Sequence, residues 1–189
     1  MTDITPLIPR QPVPTLSAHL VGGGTWSSET AKGDPFTMVV FYRGLHCPIC
    51  KTYLGSLEKQ LEAFTGKGIE VVALSTDDQA RAEQAKADWN LPNLTVGYGV
   101  SLEQARSWGL YVSSGIGKTS IGVEEPAQFA EPGLFFFRPD KTLYFASTQT
   151  MPFARPRFED ILPALDFVIA RNYPARGEVA TLTHSAAAE

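Results

Sequence analysis

Two cysteines stand three residues apart in the segment Phe41-Tyr42-Arg43-Gly44-Leu45-His46-Cys47-Pro48-Ile49-Cys50-Lys51, and the chain has no others. The pair sits where one periodicity gives way to another. Before it, Phe36-Thr37-Met38-Val39-Val40-Phe41-Tyr42 is apolar nearly throughout, the pattern of a central strand buried on both faces. After it, Cys50, Tyr53, Leu54, Leu57, Leu61 and Phe64 recur at helical spacing, which predicts an amphipathic helix ended by Gly66 and Gly68. A strand that hands over to a helix at this point restricts the chain to folds that layer helices on a sheet.

The rest of the chain agrees. Residues 1 to 15 are proline-rich and predict an extended arm. Thr15 to Val21 reads as a strand, Gly22-Gly23-Gly24 as a turn, and Thr25-Trp26-Ser27 as the hairpin partner. Ile69 to Ser75 predicts a strand, and Asp77 or Asp78 caps an alanine-rich helix reaching about Trp89. A short strand over Leu94 to Tyr98 follows. Ser101-Leu102-Glu103-Gln104 then forms a capping box for a helix reaching about Leu110. Tyr111 to Glu131 is glycine-rich without periodicity and reads as a long loop. Leu134 to Arg138 and Thr142 to Ala146 predict an antiparallel hairpin turned by Pro139-Asp140-Lys141. A last helix, N-capped by Asp160 with Pro163 in its first turn, buries Ile161, Leu162, Leu165, Val168 and Ile169. The order βα, βα, βα, ββ, α is that of an α/β domain over residues 1–173, followed by a polar tail over 174–189.

Composition narrows the function. A net charge of −4 does not indicate a nucleic-acid or anionic-membrane surface. No apolar run approaches the ~20 residues of a membrane span. Met1-Thr2-Asp3-Ile4-Thr5-Pro6 has neither a basic start nor an apolar core, so no leader is expected there. Two cysteines without an export signal point to a reducing, cytoplasmic compartment, where such a pair is catalytic or metal-binding rather than structural. For zinc, Cys47 and Cys50 would need partners among His19, His46 and His184, with no second C-x-x-C, so no metal is expected. Gly115 to Ser120 resembles the end of a phosphate loop but has Val112 where the first glycine belongs.

The thiols carry the chemistry. With Cys47 as helix N-cap and Pro48 at the first helical position, the Cys47 sulfur faces unpaired N–H groups and the positive helix end. Both lower its pKa, toward the ~3.5–7.5 range of such thiols. His46 adds positive charge if protonated. Cys50, one turn deeper, keeps the higher pKa. Cys47 is thus the expected nucleophile and Cys50 the resolving thiol, with a Cys47–Cys50 disulfide as product.

Tyr42 to Lys51 has the spacing of a thioredoxin active site. The wider chain, over about residues 12 to 175, resembles the peroxiredoxin-like members of the AhpC/TSA (alkyl hydroperoxide reductase/thiol-specific antioxidant) family. The most specific pieces are Phe41 to Lys51, Glu131-Pro132-Gly133-Leu134-Phe135-Phe136-Phe137 and Met151-Pro152-Phe153-Ala154-Arg155-Pro156. The resemblance implies a thioredoxin-like fold, a central mixed sheet flanked by helices with an N-terminal β-hairpin. It implies reduction of peroxides through a Cys47 sulfenate resolved by Cys50, without a cofactor. The alternative is thiol–disulfide exchange on protein or small-molecule disulfides. In either reading an external thiol, from a thioredoxin or glutathione system, restores the pair. Pro132 matches the proline that is cis in such folds and, with Gly44 and His46, falls on the substrate side. Arg155, with Arg43 as second candidate, matches the arginine that bonds the reactive sulfur and the peroxide oxygens. The family pattern P-x-x-x-T-x-x-C, counted back from Cys47, meets Val40 and Gly44 in place of its proline and threonine. A homodimer is compatible with the resemblance, and nothing in the sequence picks a surface for it.

Overall fold

Nine strands and four helices follow one another in the computed structural model, which describes residues 4–181. Met1 to Asp3, and residues 182–189 of the expected tail with His184, lie outside the described residues. The predicted central strand is β3 (Thr37–Phe41), and all five of its residues are buried. It pairs in parallel with β4 (Glu70–Leu74) on one side and antiparallel with β8 (Gly133–Phe137) on the other. The sheet order is β2-β1-β5-β4-β3-β8-β9. The N-terminal hairpin of β1 (Ser17–Leu20) and β2 (Thr25–Ser27) forms one edge, next to β5 (Thr95–Tyr98). β9 (Leu143–Thr148) forms the other. The proline-rich arm runs beside β9, where Arg10 N–H donates to the Leu143 carbonyl and Leu143 N–H to that of Gln11. Beyond the last helix, Arg10 Nε donates to the Ala175 carbonyl at 3.0 Å.

A strand that is apolar at every position needs a core on each face, and alternation divides β3 between two. Met38 and Val40 face α1 (Pro48–Thr65), α2 (Gln79–Asp88) and α4 (Phe158–Arg171), meeting Leu54, Leu57, Phe64, Ala85 and Leu165. Val39 and Phe41 face the other way, onto Trp108 at the end of α3 (Leu102–Ser107) and onto Phe135 and Phe137. The ring of Trp108 stands edge-on to Phe135 at 5.1 Å, and its Nε1 donates to the Pro14 carbonyl. Ser101 makes the expected capping box with Gln104, and Asp78 rather than Asp77 caps α2.

Three expectations change. The stretch from 111 to 131 contains a second small sheet, β6 (Val112–Ser114) antiparallel to β7 (Gln128–Ala130), closed by pairings 14 to 18 residues apart that no local period reports. The last helix starts earlier than Asp160. Arg157 is its N-cap, so Pro163 lies inside the helix, where it forgoes one backbone hydrogen bond. Leu165 is buried on that helix as expected, whereas Ile169 is 38% exposed because its face turns past the core.

Trp108→Ala removes the largest buried ring on the second face and leaves the Pro14 carbonyl with only the longer hydrogen bond from the Ser28 hydroxyl. We expect a loss of about 3–5 kcal/mol in urea unfolding. A loss below about 1 kcal/mol would contradict the packing described.

Candidate active site

The buried end of β3 delivers the chain into a turn, and the turn into the first residue of α1. Cys47 is the N-cap, with φ −102° and ψ 100°, and Pro48 follows in the first turn. Extended backbone at Cys47 points its Sγ back over the helix end, where it accepts from the Cys50 N–H at 3.2 Å. Both thiols are free and buried, Cys47 at 2% and Cys50 at 0% exposure.

Arg155 reaches this pair from the segment between β9 and α4. Ala154, with φ 59°, bends the chain there, and the Tyr53 hydroxyl donates to the Pro156 carbonyl at 2.8 Å. The guanidinium lies over the Tyr53 ring, 4.8 Å from its centroid, and Nη2 donates to Cys50 Sγ at 2.9 Å. Nε and Nη1 are buried with no partner among the described residues. The expected contact of Arg155 with a cysteine sulfur is therefore present, and the sulfur is that of Cys50. Glu159 does not hold Arg155 at the surface; it takes Ser56, Gln60 and Arg157 instead.

That contact reverses the expected order of acidity. Burial works against ionisation of Cys50, but the Cys47 thiol and the Arg155 guanidinium outweigh it and bring Cys50 down to about 6. The hydrogen bond shared with Cys50, together with burial, pushes Cys47 up. Of the two thiols, the one that touches the cation is the more readily ionised.

The turn before Cys47 is braced from β4 and α2. Asp77, fully buried, accepts from Leu45 N–H at 2.7 Å and from Arg81 Nε at 2.9 Å. Burial raises its pKa while these two donors oppose the rise. Gly44 has φ +132°, and a Cβ there would stand 2.6 Å from both Asp77 carboxylate oxygens. Glycine is thus required for the turn to close on Asp77, and Gly44 faces this brace rather than a substrate. His46 is also corrected. It is fully buried against the Phe129 ring at 4.6 Å, and burial followed by Arg43 lowers its pKa to about 4. The imidazole is neutral near neutral pH and adds no positive charge to Cys47. Arg43 lies 3.4 Å from Glu131 and 3.6 Å from Glu125, over the Phe129 ring, so its charge is answered by carboxylates and not by a sulfur.

Pro132 lies near the pair but not in the expected conformation. Among the described residues the cis peptide is Asp34–Pro35, so Glu131–Pro132 is trans. Extended pairing explains the trans bond: Glu131 N–H donates to the Tyr111 carbonyl, and the Pro132 carbonyl accepts from Gln149 N–H, so the chain runs straight from β7 into β8. Pro132, Gly133, Tyr53 and Arg155 line a narrow space of about 10 Å³. An open hollow of about 340 Å³, which shares Tyr53 and Arg155 with it, is walled also by Ile49, Phe153 and Phe158. Asp77 and Arg81 are site residues that sequence reasoning misses. The only signal for them is a doublet, Asp77-Asp78, where one cap would suffice.

Removing the cation must raise the pKa of the thiolate, because the charged form loses its partner. In the wild type, ultraviolet thiolate absorbance should rise as pH passes about 6. In Arg155→Met the midpoint should climb by about 1–3 pH units. An unchanged midpoint would show that the Arg155 contact does not set the charge.

Residues 9–146 match the AhpC/TSA family. No curated protein matches the chain in sequence. Among solved structures, the reduced 2-Cys peroxiredoxin of Plasmodium vivax is similar with a TM-score of 0.70 at 14% identity, over 88% of this chain and 84% of that one. AhpC of Mycobacterium tuberculosis gives 0.67 at 16%, over 87% of this chain and 99% of its own. A cysteine-to-serine mutant of peroxiredoxin 6 from Arenicola marina gives 0.66 at 19%, over 88% and 75%. At these identities the structural likeness speaks for the thioredoxin-like fold alone. The family match spans the hairpin, the cysteine turn, α1 and β8, and on it the chain belongs to the AhpC/TSA family.

Proposed function

We propose that this chain reduces peroxides by thiol chemistry, with Cys47 and Cys50 as the two electron donors and Arg155 as the cation that steadies the reacting sulfur. The observation that carries the reading is the 2.9 Å contact of Arg155 with Cys50 beside a second thiol, in a chain of the AhpC/TSA family. A thiolate of the pair attacks the O–O bond and becomes a sulfenic acid, releasing water or an alcohol. The other thiol condenses with it to give the Cys47–Cys50 disulfide and water. Two electrons pass from sulfur to oxygen, and an external thiol such as a thioredoxin or glutathione returns them. Neither step calls for a metal or an organic cofactor. Two free thiols suit a reducing compartment such as the cytoplasm.

The test is consumption of hydrogen peroxide with a dithiol reductant, followed by intact mass after one equivalent of peroxide. Turnover well above that of the reductant alone is expected, with a protein lighter by two hydrogens and both cysteines in one disulfide. Turnover no faster than free thiol would sink the reading, and reduction of insulin disulfides in its place would favour disulfide exchange.

A further inference from the structure

The geometry points to an order of events within the pair that is the reverse of the one read from the sequence. Cys50 attacks the peroxide, and Cys47 first donates its proton to the departing oxygen and then closes the disulfide. This rests on the peroxidase reading above and assigns its two sulfurs.

The two thiols share the helix end and the field of Arg155, but only Cys50 receives its hydrogen bond. The helix N-terminus supplies roughly half a positive charge, and both sulfurs lie in its first turn. Arg155 supplies a full charge and touches only Cys50. Of the other cations near the turn, Arg81 is held by Asp77, Arg43 is held by Glu131 and Glu125, and Lys51 is exposed on α1, while His46 is neutral. The carboxylates near the turn are occupied by these same arginines. Cys47 receives one neutral donor, the Cys50 N–H. In a dithiol that carries one proton, the cation therefore places the thiolate on Cys50 and leaves Cys47 as S–H. The directions of the two pKa shifts agree with this.

Arg155 also marks the side of approach. Its Nε and Nη1 are buried donors without partners among the described residues, next to the Cys50 sulfur. The residue lines both the narrow space beside Pro132 and the open hollow beside Ile49. Both spaces end on Arg155, whose Nη2 holds Cys50 Sγ and whose Nε and Nη1 are donors free to meet an oxygen.

The chemistry closes without any further reagent. The Cys50 thiolate attacks the terminal oxygen of ROOH; the S–O bond forms and the O–O bond breaks, leaving Cys50 as S–OH and RO⁻ as the leaving group. Cys47 S–H gives its proton to RO⁻, so ROH departs and Cys47 becomes a thiolate. That thiolate attacks the Cys50 sulfenic sulfur, the S–S bond forms, and hydroxide leaves. One negative charge enters and one departs. The thiol that begins as a proton donor is converted into the resolving nucleophile by the act of donation.

Three variants and one wild-type measurement test the order. Cys50→Ser should consume peroxide no faster than a free thiol. Cys47→Ser should still be oxidised at Cys50, with a trapped sulfenate in mass spectrometry of dimedone-treated protein and no disulfide. Cys47→Ala, which has no proton to give, should be oxidised at Cys50 more slowly than Cys47→Ser, by about 10²-fold where proton donation limits the rate. Equal rates for the two would overturn the proton role. Rapid oxidation of Cys50→Ser with the sulfenate on Cys47 would overturn the order while leaving peroxide reduction intact. A wild type no faster than free thiol would remove the peroxidase reading and the order with it. Should Cys50→Ser fail to fold, peptide-resolved iodoacetamide labelling of the wild type across pH decides the matter: Cys50 should label at the lower pH, and Cys47 labelling first would overturn the assignment.

Discussion

A guanidinium drawn out of water is unfavourable unless an acceptor meets it, and here the acceptor is an ionisable sulfur 105 residues away in sequence. The contact between Arg155 and Cys50 depends on the sheet order. Because β8 and then β9 lie beside β3, the segment leaving β9 passes the end of the sheet where α1 begins. Tyr53, one turn beyond Cys50, holds that segment twice, by its hydroxyl on the Pro156 carbonyl and by its ring under the guanidinium. Burial raises the Tyr53 pKa, so the hydroxyl stays protonated and remains a donor.

The other charges near the pair are arranged so that they do not blur this contact. Asp77 answers Arg81 and also receives the Leu45 N–H, which fixes the turn that presents Cys47. Glu131, buried at 3%, answers Arg43 and accepts from the Ser113 hydroxyl of β6 at 2.5 Å. The small β6–β7 sheet thereby has a function in the site that its sequence conceals. It carries Phe129 against both Arg43 and His46, and the apolar contact helps keep the imidazole uncharged. Of the cations described around the turn, Arg155 is the one left to act on a thiol.

This division explains what was legible in the sequence and what was not. The apolar run of β3, the stripe of α1 and the N-cap position of Cys47 are local patterns, and all three appear where the sequence places them. The β6–β7 pairing, the early start of α4 and the trans Pro132 are set by tertiary contacts and leave no local trace. Arg155 can be named only through family resemblance, since nothing in Ala154-Arg155-Pro156 says which way the side chain turns. The order of acidity escapes the sequence for a definite physical reason. The helix end is visible in sequence and acts on both thiols, whereas the charge that separates them comes from a distant loop.

The same point bears on the family pattern P-x-x-x-T-x-x-C. Counted back from Cys47, its landmarks fall on Val40 and Gly44, and neither fits; Gly44 is needed instead for the close approach of Asp77. Counted back from Cys50, they fall on Arg43 and Cys47. In that register a thiol stands at the threonine position, so the group three residues before the reacting sulfur keeps an X–H to offer but gains redox chemistry of its own. An N-cap and the third residue of the helix lie about 5–6 Å apart on one face, within the span of a disulfide, so closing the bond does not require α1 to unwind. What the bond does remove is the ionisable thiol that Arg155 touches. A disulfide sulfur carries no charge to answer a guanidinium, so the contact of Arg155 with Cys50 belongs to the reduced pair.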